Sequence, residues 1–157
     1  MKPDIEFRSF VSVSQRAALE RLLYFNSCQE RVTDCIAHAV ERFGSPEIVA
    51  DRDRLRIHMR NVPEVQSLFA VEAATGRPIG VAVYARQDVE HVTVMHVGVA
   101  PEFATGGVRA NEQLLLRLLR EVRRSTRRVK GVRTLELFYA RRRPEMHRWR
   151  TAPKAVL

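Results

Sequence analysis

The sequence predicts an α/β (α+β) domain, and three stretches carry that prediction. Val92 to Val99 reads as a buried strand that runs through a turn and a glycine-bearing loop into a leucine-rich helix. Leu68 to Val71 and Ile79 to Tyr84 are β-rich arms on either side of Thr75-Gly76-Arg77-Pro78, the pattern of a hairpin. Val32, Cys35, Ile36, Ala39, Val40 and Phe43 fall at helical spacing and form one apolar stripe. A chain of 157 residues carrying both kinds of element is most simply one domain, residues 1–157, with enough length to bury a core.

In chain order, Ile5 to Phe10 alternates as a first strand, and Ser12 or Ser14 offers an N-cap for a helix that turns Ala18, Leu19, Leu22 and Leu23 inward. The stripe from Val32 to Phe43 makes the next helix, and Gly44 supplies its stop. Two readings stay open for the segment that follows. Ser45-Pro46-Glu47 has the form of a helix start, whereas Leu55, Ile57 and Met59 alternate with Arg54, Arg56, His58 and Arg60 at strand spacing. The hairpin comes after Pro63, and Gln87 to Glu90 forms a polar turn before the strand at Val92.

The turn Ala100 to Phe103 and the loop Ala104-Thr105-Gly106-Gly107-Val108-Arg109 then lead to a helix. Its spacing points Leu114, Leu115, Leu118, Leu119 and Val122 inward and Arg117, Arg120, Arg123 and Arg124 outward. A strand, loop and helix N-terminus in that order would present backbone N–H groups and the positive end of a helix dipole at one point, suited to an anion such as a phosphate. Gly131 opens a last strand, Thr134 to Tyr139. Beyond it Arg141-Arg142-Arg143-Pro144 leads into a basic tail with one short helix through Trp149.

The net charge of +9 and a pI near 10.7 favour anionic partners: nucleic acid, an acidic protein or a polyphosphate cofactor. A solvated basic surface with no such partner is the competing reading. No apolar run approaches the roughly 20 residues that span a bilayer, and Lys2, Asp4, Glu6 and Arg8 interrupt any signal-peptide block at the N-terminus. The expectation is a cytoplasmic protein that does not enter a membrane. Cys28 and Cys35 match no zinc or redox spacing and read as small buried side chains, so no metal site is expected.

The order strand, two helices, hairpin, strand, phosphate loop, helix and strand resembles the GNAT superfamily of acyl-CoA-dependent N-acyltransferases, most firmly from Leu68 to Tyr139. The family's loop pattern, Q/R-x-x-G-x-G/A, falls on Ala104 to Arg109, preceded by the hydrophobic-x-Val-x-Pro-x-aromatic run Val97 to Phe103. Gly107 matches. Ala104 stands in place of the usual Gln or Arg, and Arg109 in place of a small residue. A second register makes Gly106 the first glycine, with Val108 or Ala110 as its partner.

The resemblance implies a mixed, mostly antiparallel sheet flanked by helices on both faces. It also implies acetyl-CoA or another acyl-CoA as co-substrate and a primary amine as acceptor. The pantetheine would lie along Val97, Gly98 and Val99, and the loop Ala104, Thr105, Gly106, Gly107, Val108, Arg109 and Ala110 would hold the diphosphate. The strand glutamate that many relatives use falls at Thr93. Glu90 and His91 are then the nearest titratable groups, with His91 preferred because alternation sets it on one face with Thr93 and Met95. His96 would take the other face as a core residue. Relatives place a tyrosine after the fifth strand to protonate the leaving thiolate. Arg143 to Trp149 holds none, which leaves Tyr139 as the substitute. A short last segment suggests either an exposed sheet edge or a partner chain that covers it, and a homodimer is the favoured reading. Two other functions compete: a GNAT-fold binding or regulatory protein with impaired catalysis, and a basic module that binds nucleic acid through the arginine-rich helix and the tail Arg141 to Lys154.

Overall fold

A computed structural model describes residues 4–24, 39–104 and 106–138. Its main sheet has five strands in the order β1-β5-β6-β7-β8. They are β1 (Ile5–Arg8), β5 (Gln66–Glu72), β6 (Pro78–Arg86), β7 (His91–Val99) and β8 (Thr134–Leu137). Every pairing is antiparallel except β7 with β8, so the sheet is mixed and mostly antiparallel, as the resemblance implied. A second, three-stranded sheet runs β2-β4-β3, from β2 (Val11–Ser12), β4 (Arg54–Met59) and β3 (Pro46–Asp51).

The open segment from Ser45 to Arg60 is therefore a hairpin. Leu55, Ile57 and Met59 are buried while Arg54, Arg56 and His58 are exposed, so the period of two decides its structure. Pro46 opens the first arm, where a missing N–H is tolerated. The N–H of Ile57 also donates to Ser67 Oγ at 3.3 Å, which ties this hairpin to β5.

Two helices cover the main sheet: α1 (Arg16–Tyr24), which buries Leu19, Leu22 and Leu23, and α2 (Leu114–Arg127), which buries Leu114, Leu118, Leu119 and Val122. A strand is buried at successive positions only when both its faces are covered, and β6 is buried from Pro78 to Ala85. The α2 face of β6 is the one bearing Gly80, where a Cβ would sit 3.5 Å from both Leu114 and Leu118. Helices thus flank the sheet on both sides. Leu115 was expected inward and is 40 % exposed instead. It lies on the apolar stripe by angle, but in the first turn of the helix, where its neighbour Leu116 is also exposed.

Ser12 caps as predicted, its Oγ accepting from the N–H of Ser14, though the turn it caps is a 3₁₀ turn, Val13–Gln15, that precedes α1. Residues 39–43 are helical, and the Gly44 N–H closes that helix on the Val40 carbonyl at 2.8 Å with φ at +83°. Phe43 then meets Phe138 edge to face, 4.9 Å between ring centres. The start of that helix, both cysteines, Tyr139 and the basic tail lie outside the described residues. Among the described residues no helix is long and apolar enough to cross a membrane.

Candidate functional site

The site is built on an irregularity in β7. Val92 to Val94 pair with Arg86 to Tyr84, and His96 to Val99 pair with Val83 to Gly80, so Met95 is an extra residue. Such a bulge inverts which backbone groups face which neighbour. Before it, the Gln87 N–H donates to the His91 carbonyl at 2.8 Å, and odd-numbered residues of β7 face β6. After it, the Ala100 N–H donates to the Ile79 carbonyl at 2.8 Å, and even-numbered residues face β6. Val97 and Val99 therefore aim their N–H and C=O groups at the side where β8 lies. The register of β8 with β7 ends at Val94 and Leu137. Among the described residues the strand pair opens at the bulge, and the backbone of Val97 faces that opening.

The bulge also changes which side chains share a face. Thr93 pairs with Ala85 and His96 with Val83, and alternation puts Ala85 and Val83 on the same face of β6. Thr93 and His96 thus sit together, both buried, on the face away from α2. This corrects the expectation that His96 lies opposite Thr93, which assumed an unbroken period of two. Burial lowers the His96 imidazole to a pKa of about 4, so it is neutral at pH 7. Val97 and Val99, paired with Ala82 and Gly80, face α2. Tyr84 shares that face, where its hydroxyl reaches Ser125 of α2; burial raises its pKa and that hydrogen bond opposes the rise.

The glycine loop differs from the expected cradle. It does not run straight into a helix: one 3₁₀ turn covers Pro101–Phe103, another covers Ala110–Glu112, and α2 starts only at Leu114, after Gln113 at φ +50°. The N–H groups of Gly107, Arg109, Ala110, Glu112 and Gln113 donate to the carbonyls of Ala104, Glu102, Gly107, Arg109 and Ala110. Four of these bonds are tight i→i+3 turns and the fifth, from Arg109, folds the loop back on Glu102, so these loop donors are taken before α2 begins at Leu114. Gly107 is there for space, since a Cβ would lie 2.5 Å from the Glu102 carbonyl oxygen and closer still to that of Pro101. Gly106 is there for its φ of +86°. Val108 is 89 % exposed, and Thr105 lies outside the described residues.

Arg109 folds back onto its own loop. Its guanidinium carbon stands 4.2 Å over the Phe103 ring and its Nε donates to Glu112 at 2.6 Å. Arg77 braces the other side of the loop, donating to Glu72 at 2.5 Å and Glu102 at 2.7 Å. Partial burial would raise the Glu102 carboxyl, but the Arg77 guanidinium outweighs it and holds the group below the usual range. Nothing in the sequence flagged this brace, because Arg77 belongs to a hairpin turn 25 residues before Glu102.

The two titratable residues singled out from the sequence lie at the other end of β7. His91 Nδ1 is 2.7 and 2.8 Å from the carboxylate oxygens of Asp88, which also accepts from the N–H groups of Glu90 and His91. The bond to His91 keeps Asp88 below the ordinary carboxylate range. Glu90 faces Arg133 at 3.9 Å. Six residues separate His91 from Val97, about 20 Å at the rise of a strand, so the structure does not bring His91 or Glu90 to the opening.

No family model matches the chain, and no curated protein sequence does. Among solved structures, an acetyltransferase from Streptococcus agalactiae is similar over 99 % of this chain and 95 % of its own, at 16 % identity and a TM-score of 0.45. A nourseothricin acetyltransferase is similar over 85 % of this chain and 72 % of its own, at 19 % identity and a TM-score of 0.36.

Proposed function

We propose that the chain is an acyl-CoA-dependent N-acyltransferase, with acetyl-CoA the first donor to test and a primary amine as acceptor. The observation that carries this reading is the Met95 bulge, beyond which β8 no longer pairs with β7 among the described residues and the backbone of Val97 points to that side. Pantetheine carries two amides in a thin chain, and such a chain can bond to a strand edge as an added strand does. The strand supplies fixed dipoles that need no reorganisation, and an N–H at Val97 polarises the thioester carbonyl.

In the proposed reaction the amine lone pair forms a C–N bond to the thioester carbon and the C–S bond breaks. The thiolate takes up one proton as the nitrogen gives one up. His91 and Glu90 stand too far along β7 to remove that proton by contact or through one water. Thr93 and neutral His96 are nearer but buried on the face away from α2. The proton is assigned to water in the opening. As assembly we propose a homodimer, since β8 ends the sheet among the described residues and an uncovered edge presents N–H and C=O groups on which a second copy can pair; sedimentation at micromolar concentration tests it.

Calorimetric titration with acetyl-CoA, longer acyl-CoAs and free CoA tests the function. Saturable binding, followed by release of free thiol with a member of a broad amine panel, is the expected result. No binding at millimolar ligand rejects it. Binding without thiol release moves the protein to a second reading, an acyl-CoA-binding regulator, which the internally bonded loop N–H groups and Thr93 at the glutamate position favour.

A further inference from the structure

The excess positive charge of this chain is concentrated in one part of it. Residues 1–112 hold thirteen Lys and Arg against fifteen Asp and Glu, whereas residues 113–157 hold fourteen against three. A basic surface spread by general arginine usage would not divide in this way. Within the described residues the charge falls on α2 and the turn that follows it. Arg120, Arg124 and Arg127 lie on the side of α2 opposite Leu118 and Val122, and all three are exposed. Arg128 and Lys130 extend the row into the turn, also exposed. The one carboxylate on α2, Glu121, reaches Arg124 only at 3.8 Å, an exposed contact of little energy.

The row is held in place. Arg86 donates to the Lys130 carbonyl at 2.9 Å and to the Val89 carbonyl at 2.6 Å, pinning the turn to the end of the sheet, and Gly131 at φ +94° completes it. The Val129 N–H returns to the Thr126 carbonyl at 3.0 Å. The backbone that carries the charges of the turn is thus fixed relative to the helix before any partner arrives.

We infer that this arginine face binds the phosphate backbone of a double-stranded nucleic acid without reading its sequence. A duplex carries one negative charge per roughly 1.7 Å of its axis, a uniform density that suits a row of cations on a fixed backbone. Guanidinium also presents a planar fork that takes phosphate oxygens two at a time. The stretch from Gln113 to Arg133 contains no Phe, Tyr or Trp, so the face offers no platform on which single-stranded bases would stack. In an exposed row along one helix face its guanidinium groups serve phosphate contacts, which fix position and carry no sequence information.

Fluorescence anisotropy of the full chain with two unrelated duplexes of about 20 bp tests this, titrated from low to moderate salt. Both duplexes should bind alike, with log K falling against log salt at a slope of about −4, as four phosphate contacts give. R120E/R124E/R127E should weaken binding at least about tenfold and flatten the slope by about three. R120Q/R124Q/R127Q should do so by a smaller amount and serves if the reversed variant fails to fold. Reversing Arg54 and Arg56 on β4 and Arg60 just after it should leave the affinity within about twofold, as a control for net charge. The inference is overturned by any of four results: no saturable binding at low salt, unchanged binding in the α2 variants, equal loss in the β4 variant, or equally tight binding of polyglutamate, which would point to an acidic protein.

Discussion

Gly107 and Gly106 are adjacent glycines held for different reasons, and substitution separates them. At Gly107 an added methyl group meets two rigid carbonyls, which overpacks the loop and should cost about 1–3 kcal/mol. At Gly106, among the described residues beyond its chain neighbours, no atom lies within 4 Å of the new methyl group, and the left-handed φ is penalised by about 1 kcal/mol. Denaturant melts of G107A and G106A should rank in that order, and a reversed ranking would mean the loop does not fold back on Pro101. His96 makes a second prediction at this scale. Unfolded, its imidazole takes a proton near pH 6.5; folded, burial delays that until about pH 4. Between those values the unfolded chain binds more protons, so stability falls as pH drops from 6.5 to 4 and is complete above that window. The contribution is about 3 kcal/mol, and H96Q should show a shallower stability slope across the window than the parent. Equal slopes would place His96 in contact with solvent.

At the scale of elements, the Met95 bulge distinguishes neighbouring positions on β7. The N–H of Val97 points toward the opening and the N–H of Gly98 toward β6, so proline has different effects at the two sites. V97P should keep the fold and weaken acyl-CoA at least about tenfold, while G98P should lose a ladder bond and melt well below the parent. Calorimetry and thermal melts on the pair check this, and intact acyl-CoA affinity in folded V97P would remove Val97 from the site. The bulge also marks where the sequence stopped being legible. Strand, loop and helix from Val92 to Val122 could all be read from periodicity. An extra residue inside a strand buried at nearly every position leaves no trace in that pattern, so alternation alone puts His96 on the wrong face. The hairpin at Pro46 to Met59 was ambiguous because proline and glutamate suit the first turn of a helix as well as the start of a strand. The gap between the glycine loop and α2 was hidden too. Gln113 is a good helix former by propensity, yet it takes φ +50° and delays the helix to Leu114.

At the scale of the molecule, the divided charge has a kinetic consequence for the proposed acyl donor. Acyl-CoA is a polyanion, and α2 carries its arginines on the outer side while its first turn follows the loop that leads from β7. A concentrated positive face raises the local concentration of an anion, speeds encounter and is screened by salt, because the Debye length shrinks from about 10 Å at 0.1 M to about 3 Å at 1 M. The association rate of acetyl-CoA, followed by stopped flow, should therefore fall by about tenfold or more between 0.02 and 0.5 M salt, with a much smaller change in the dissociation rate. R120E/R124E/R127E should lower the association rate at low salt and leave it nearly unchanged at high salt, since these side chains act through their field and lie on the side of α2 away from Val97. If the dissociation rate rises instead, the arginines touch the ligand, and the diphosphate sits on the outer face of α2 rather than on the loop between Ala104 and Ala110.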